Sequence, residues 1–160
     1  MKRPRNFRLT PGHSFLAVAV LFLLAALYPT ARVVDLHLND TMFVVSPAIV
    51  CIALALFSGI GFLIYQLTGF LMYRQWLSWV HFVLTTLFFI ILYVDILSPP
   101  TPFNGNSEIT IENWQHYQSR VQLITSIEAG IFLLGQLALL INLIVGGTKA
   151  ILKPKRFQTP

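Results

Sequence analysis

The stretch "MFVVSPAIVCIALALFSGIGFLIYQ", Met42–Gln66, runs without a single charged residue. A transmembrane α-helix needs about 20 consecutive apolar residues, so this run predicts a membrane-spanning helix. The composition agrees, because 56% of the chain is hydrophobic and only 11% is charged, against about 25% charged in an ordinary soluble domain. The prediction is an all-α integral membrane protein, a single transmembrane domain over residues 1–160 with four transmembrane helices. These helices are Ser14–Tyr28, Met42–Gln66, Gln75–Leu97 and Val121–Val145.

The first of these stretches has a second interpretation. A secretory signal peptide also places a short apolar run behind basic residues. No small-x-small cleavage site follows the run, since Tyr28 and Pro29 interrupt the sequence there. We therefore expect Ser14–Tyr28 to be a retained helix, with a cleaved signal peptide as the alternative.

Lysine and arginine are distributed unevenly around the predicted helices. Nine of the eleven fall in the N-terminal tail, the connection between the second and third helices, and the C-terminal tail. Cytoplasmic segments carry an excess of Lys and Arg, so both termini are predicted to be cytoplasmic, in a bacterial inner membrane. Residues of about 29–41 and the longer loop 98–120 then lie on the outer side. The net charge of +5 is interpreted as a topology signal and not as a nucleic-acid-binding surface, and the lipid bilayer is an expected partner.

A short polar string, Asn39-Asp40-Thr41, precedes the second predicted helix. An Asn or Asp at the N-cap position accepts a hydrogen bond from the first turn, so Asn39 or Asp40 is predicted to cap this helix. The alternative interpretation is the remnant of a metal or cofactor site. Pro47 lies about one turn inside the predicted helix, where a proline removes one backbone hydrogen bond and is expected to kink or delay it.

Two features predict how the helices make contacts. Small residues let helix backbones approach closely in lipid, and the second helix offers such a face at Ser58, Gly59 and Gly61. In the outer loop, Pro-Pro and Asn-Gly steps forbid a helix in the first half. The second half is expected to form a short interfacial helix, with Trp114 and Tyr117 at head-group depth.

Ionisable groups inside a membrane are costly, so each one needs a reason. Glu128 lies about two turns into the fourth helix and shares a band of its surface with Thr125, Gly135 and Asn142. It is interpreted as a buried glutamic acid that is hydrogen-bonded across the bundle, with a proton-relay or ion site as the alternative. No second acid or lysine is expected at its depth. His81, at the start of the third helix, is expected to make a polar contact near the cytoplasmic surface and not to bind a metal.

The sequence predicts no catalytic, cofactor-binding or metal site. No Ser-His-Asp spacing, H-E-x-x-H motif, P-loop or dinucleotide fingerprint is present. The single cysteine, Cys51, has no second cysteine with which to form an intramolecular disulfide or a thiolate metal site. The polar or structural candidates are Glu128, His81, Asn39, Asp40 and Thr41.

From about Asp35 onward, four segments resemble, in order, the last three transmembrane helices of haem-copper oxidase subunit I, the catalytic subunit of cytochrome c and quinol oxidases. "LHLNDTMFVV" is similar to that family's "HDTYFVVAHFHYVL", and "FSGIGFLIYQLTG" (57–69) to its "FAGFYYWFPKMTG". "HFVLTTLFFI" (81–90) resembles "HFWLTFIGFN". "TSIEAGIFLLGQLALLINLI" (125–144) resembles the final helix, "STIGAFILFLAQLLFLYNLI".

The departures from this family concern its chemistry. In the family, the histidines of the "HFH" element ligate the two haem irons. Here the residues after Val45 read Ser-Pro-Ala-Ile, and no histidine lies between Asn39 and Val80. Haem iron needs an axial ligand, so no cofactor is predicted and this chain alone is not expected to reduce oxygen.

The resemblance implies a non-catalytic accessory subunit of a respiratory-chain, electron-transport membrane complex. Its expected partners are other integral membrane subunits of an oxidase or quinol-oxidising complex. Two alternatives remain open. One is a redox subunit that shares a haem with partner chains, and the other is a small proton- or ion-conducting module centred on Glu128.

Overall fold

The computed structural model describes residues 10–28, 34–38, 41–97 and 111–152. In chain order they form helix α1 (Pro11–Ala26), strands β1 (Val34–Leu38) and β2 (Thr41–Val45), helix α2 (Pro47–Thr68), one turn of 3₁₀ helix (Gly69–Leu71), helix α3 (Gln75–Leu97) and helix α4 (Ile111–Leu152). The prediction of a helical protein is confirmed, with the two-stranded hairpin as an addition that the sequence reading missed.

Three segments are long and apolar enough to cross a membrane: Pro47–Leu71, Gln75–Asp95 and Gln115–Leu152. α1 is shorter, and its 16 residues measure about 24 Å at 1.5 Å per residue, less than the roughly 30 Å of a hydrocarbon core. It begins at Pro11 rather than at Ser14, because the Thr10 side chain caps the helix by accepting a hydrogen bond from the His13 backbone N–H. The membrane character is therefore confirmed for three helices, and a crossing by α1 stays a prediction.

The second helix begins at Pro47 and not at Met42. The residues before it pair with β1 in an antiparallel hairpin, with Leu38 opposite Thr41 and Val34 opposite Val45. The predicted cap at Asn39 or Asp40 is wrong, because Ser46 occupies the N-cap position of α2.

Of the two effects predicted for Pro47, a kink or a delayed helix start, the structure shows the delayed start. Pro47 is the first helical residue of α2. The N–H that a proline lacks at this position would have had no partner inside the helix, so proline starts the helix well there.

The fourth helix is much longer than predicted. Its 42 residues measure about 63 Å, roughly twice the thickness of a hydrocarbon core. It begins at Ile111, so Trp114 and Tyr117 belong to α4 and not to a separate interfacial helix, and the predicted loop boundary at Arg120 is wrong. Residues 98–110, the first half of that loop, lie outside the described residues.

The helices pack as two antiparallel pairs, α1 with α2 and α3 with α4. In the first pair, the ring of Phe15 lies directly on Gly61, where an added Cβ would come within 3.0 Å of it. Ser58 is fully buried, whereas a Cβ on Gly59 would meet nothing within 4 Å. The small-residue packing face is thus confirmed for Ser58 and Gly61 and wrong for Gly59.

The second pair is held by the band predicted on the fourth helix. Glu128, Gly135 and Asn142 are buried, and Thr125 is exposed. A Cβ on Gly135 would lie 3.2 Å from the Thr85 hydroxyl, so the two backbones approach closely at mid-length. The band therefore faces protein for three of its four residues.

Phenylalanines from all four helices meet at mid-height, and we call this set the aromatic layer: Phe22, Phe57, Phe88, Phe89 and Phe132. Ring centroids lie 4.9 Å apart for Phe88 and Phe132, and 6.3 Å apart for Phe22 and Phe89. The layer divides the bundle into a hairpin end, which carries β1 and β2, and a turn end, where residues 69–74 join α2 to α3.

Candidate functional site

Asn142 of α4 fastens the turn end of the bundle. Its Oδ1 accepts a hydrogen bond from the Arg74 backbone N–H at 2.8 Å. Its Nδ2 lies 3.0 Å from the Arg74 carbonyl oxygen, 2.9 Å from the Ser78 hydroxyl and 3.4 Å from the sulfur of Met72. The side chain is completely buried, so one amide satisfies the backbone groups that begin α3 and ties them to α4.

His81 lies in the interior beside this cluster and not at a surface, with 3% of its area exposed. The Tyr65 hydroxyl donates to the Ser78 carbonyl oxygen at 3.0 Å and lies 2.9 Å from His81 Nδ1. Because a tyrosine has one hydroxyl proton, this arrangement assigns a proton to Nδ1, which then donates to Tyr65. A side-chain hydrogen bond also joins His81 to Gln136 of α4, and the ring of Phe15 stands 5.3 Å away. His81, on α3, is therefore in contact with residues from the other three helices.

Glu128 lies at the hairpin end, where it shares a side-chain hydrogen bond with Asp95 of α3. Glu128 is 7% exposed, and its Oε1 has no hydrogen-bond partner in the described part of the chain. The prediction that no second acid lies at the depth of Glu128 is wrong.

The two polar clusters do not join through the described side chains. On α3, Phe88 and Phe89 stand between Thr85, which accepts a hydrogen bond from Gln136 at 3.4 Å, and Asp95. The ten residues from Thr85 to Asp95 correspond to about 15 Å along the helix axis. The aromatic layer occupies much of this interval, and the buried hydroxyls of Thr86 and Ser58 beside it have no hydrogen-bond partner in the described part of the chain, so no described hydrogen bond links the carboxyl pair to the His81 cluster.

A third group of polar side chains lies at the surface of the turn end. Lys149 Nζ is 3.8 Å from the centroid of the Tyr73 ring, and Arg74 Cζ is 5.1 Å from it. The hydrogen bond from Lys149, followed by the hydrogen bond and charge of Arg74, lowers the pKa of the Tyr73 hydroxyl. The group is a cationic patch on one aromatic ring.

The polar string ahead of α2, Asn39-Asp40-Thr41, lies largely outside the described residues. Asn39 and Asp40 lie outside the described residues, and of Thr41 only the backbone, in β2, is described. Within residues 10–28, 34–38, 41–97 and 111–152, no three or more His, Cys, Asp or Glu side chains lie close enough together to hold a metal ion.

Sequence reasoning missed several residues of these clusters, among them Tyr65, Asp95 and Gln136. Asp95 had a usable signal, because it lies two residues from the end of the third predicted helix and Glu128 lies near the start of the next. Antiparallel neighbours bring such positions to one level. Tyr65 carried no comparable signal, since a tyrosine near a helix end is equally common at a membrane interface. Gln136 did carry one, because a glutamine in the middle of an apolar helix is expected to hydrogen-bond to a neighbouring helix.

The fold and the buried polar groups define a helical protein with three helices that are long and apolar enough to cross a membrane. No protein-family model, curated protein or solved structure matches the chain.

Proposed function

We propose that this protein is a non-catalytic accessory subunit of a respiratory-chain membrane complex, held by its helices in the bacterial inner membrane with both termini in the cytoplasm. The observation that carries the proposal is the length of α4. Asn142 lies beside Ser78, and in an antiparallel pair this register places Leu97, the last residue of α3, near position 123. The α4 arm, residues 111–122, therefore continues about 18 Å past the end of α3.

The α4 arm is suited to contact another protein. From Gln115 to Gln122 its side chains are exposed, apart from Tyr117 and Val121, which are half-buried. Most helical stability in proteins comes from tertiary packing, and the arm extends past the end of α3, so a partner surface would stabilise it. Its polar composition suits a contact outside the hydrocarbon region.

The respiratory part of the proposal rests on the resemblance to oxidase subunit I. The non-catalytic part is supported by His81, the described histidine inside the bundle. An axial haem ligand must offer a ring nitrogen to iron, whereas His81 has Tyr65 and Gln136 as hydrogen-bond partners. A role in packing fits this arrangement better than a role in haem ligation.

Site-specific crosslinking in native membranes tests the proposal. A photoreactive amino acid at Gln118, in the α4 arm, is expected to form a discrete adduct with a subunit of an oxidase or quinol-oxidising complex. The same amino acid at Leu56, which is 65% exposed on α2, is the control and is expected to give mainly lipid adducts. If the tagged chain purifies alone, monomeric and colourless, without an adduct from position 118, the accessory role is refuted.

A proton-conducting module is the second candidate, because the Asp95–Glu128 pair supplies the second acid that such a role needs. The aromatic layer argues against it, since the buried hydroxyls of Ser58 and Thr86 beside that layer have no hydrogen-bond partner among the described residues. Liposomes that contain the purified chain separate the two functions. A proton leak that disappears in Glu128→Gln, while Gln122→Glu leaves it unchanged, would favour conduction, and a tight wild-type liposome would exclude it.

A further inference from the structure

We propose that the turn end of the bundle carries a binding site for one anionic phospholipid, with the phosphate in a partly polar cavity and an acyl chain along α1. This site is independent of the proposed accessory role. Two adjoining hollows carry the inference. A cavity of about 470 Å³ with a mixed polar and apolar lining and an apolar groove of about 730 Å³ lie side by side, and His13 lines both. We call them the head cavity and the tail groove.

The head cavity is lined by groups that suit a phosphate. Thr10, His13, Gln66 and Gln75 contribute polar side chains, and no carboxylate is among the lining residues. α1 and α3 both begin at this cavity, so the positive ends of both helix dipoles are directed toward it. The Thr10 hydroxyl lies 2.6 Å from His13 Nδ1, which orients the imidazole at the mouth. A cavity with these features favours an anion over a cation.

The tail groove has the opposite character. Beyond His13 and Ser14 its lining is apolar and rises along α1 through Leu16, Val20 and Leu21, with Phe82 of α3 also lining it. From Ser14 to Leu21 the groove runs about 10 Å along the axis of α1. If α3 crosses the membrane, this direction leads from the head cavity toward the hydrocarbon core. A partly polar cavity that opens into an apolar groove matches an amphiphile with one charged end.

The charge pattern selects an anionic phospholipid among the possible amphiphiles. The nine residues that precede Thr10 in the sequence hold Lys2, Arg3, Arg5 and Arg8 and no acidic residue, so the sequence that adjoins a residue of the head cavity is basic. Basic segments next to a membrane attract anionic lipid head groups. A neutral amphiphile such as a quinone would gain nothing from that charge.

The test uses native mass spectrometry of the full chain in detergent, with phosphatidylglycerol as the probe. One bound lipid per chain is expected. Gln75→Glu places a carboxylate in the head cavity, and an acid in the first turn of a helix favours folding. Two like charges a few Å apart repel strongly even near a protein surface, so binding is expected to weaken roughly tenfold or more. Gln122→Glu, the same change in the α4 arm, is the matched control and is expected to bind as the wild type does.

The tail groove is tested in the same way. Ala17→Trp fills the groove, and Ala53→Trp makes the same change on the exposed face of α2. Only Ala17→Trp is expected to reduce lipid binding, and inorganic phosphate alone is expected to compete poorly because it lacks the tail. Thermal unfolding is measured for both Trp variants, and equal unfolding temperatures show that a loss of lipid binding in Ala17→Trp is not caused by a loss of folding.

Three results would overturn the proposal. Equal loss of binding in Gln75→Glu and Gln122→Glu would show that the effect is not local. Diacylglycerol or a quinone binding as tightly as phosphatidylglycerol would assign the cavity to uncharged amphiphiles. Unchanged binding in Ala17→Trp would remove the acyl chain from the groove.

Discussion

Replacing Asn142 with alanine is expected to lower the free energy of unfolding by about 2–4 kcal/mol. The side chain makes three hydrogen bonds of 2.8–3.0 Å, two to the Arg74 backbone and one to the Ser78 hydroxyl. Such bonds contribute about 1 kcal/mol each in proteins generally and about 0.6 kcal/mol on average between membrane helices. Their sum gives the lower part of the range. The upper part includes the cost of leaving buried partners unsatisfied, which is limited here because Arg74 is exposed and water can reach its backbone.

Two measurements on the full chain in detergent micelles check this expectation. Denaturant unfolding gives the change in free energy, with Gln122→Ala, an exposed amide on the same helix, as the control that is expected to change it by less than about 0.5 kcal/mol. Hydrogen exchange gives the local readout, because the Arg74 amide donates to Asn142 and is expected to exchange faster only in Asn142→Ala. If that amide exchanges at the wild-type rate, or if Asn142→Ala is no less stable than the control, Asn142 does not fasten α4 to α3.

The two adjacent glycines of α4 are expected to respond oppositely to alanine, as thermal unfolding will show. A Cβ on Gly146 would overlap the Leu71 carbonyl oxygen, so Gly146→Ala is expected to destabilise the protein by several kcal/mol. Nothing lies within 4 Å of a Cβ on Gly147, so Gly147→Ala is expected to stabilise the protein by up to about 1 kcal/mol. Equal effects would contradict the close approach of α4 to the turn. At the surface of the same end, Lys149→Met is expected to raise the pKa of Tyr73, since Lys149 is the main group that lowers it; ultraviolet titration of the tyrosines measures this shift, and an unchanged or lower value would remove Lys149 as the cause.

The membrane helices were predictable from the sequence because their apolar runs are long. The start of α2 was not predicted, although one signal was present. Met42–Val45 is apolar and rich in valine, and a short run of this kind cannot be assigned to helix or strand by periodicity alone. The Ser46-Pro47 step was the better guide, since an N-cap serine followed by proline at the first helical position marks a helix start.

The hairpin includes part of one segment that resembles oxidase subunit I. The segment "LHLNDTMFVV" was compared with residues that lie on a helix in the oxidase family, and in this structure Thr41–Val45 forms a strand. The other three matched segments lie on α2, α3 and α4. The resemblance to oxidase subunit I stays a prediction, and this segment does not adopt the helix that the comparison implied.

The length of α4 was underestimated for a related reason. Hydropathy found Val121–Val145, the part that resembles a membrane span, and the polar residues before it were assigned to a loop. Helical structure outside a membrane leaves no hydrophobic signal of its own when the segment is exposed on most of its surface, as the α4 arm is. Turn signals end at Asn104–Asn106, so a helix start soon after them could have been inferred.

The buried polar groups of α3 and α4 make most sense as devices that fix the register of this helix pair. Asn142 and Glu128 lie fourteen residues apart on α4, about 21 Å along its axis, and each meets a polar partner on α3. Gly135 lies midway between them, at the closest approach to Thr85. A slip of one helical turn, about 5.4 Å, would break both polar contacts at once and move Gly135 away from Thr85. Apolar side chains alone would resist such a slip poorly in lipid, where no hydrophobic force holds helices together. Single buried polar residues fix the register of coiled coils in the same way. The same reasoning accounts for the separation of the two clusters by the aromatic layer. Two polar contacts between a pair of helices resist rotation and sliding best when they lie far apart along the helix axis. A proton-conduction path would instead need the two clusters to be joined.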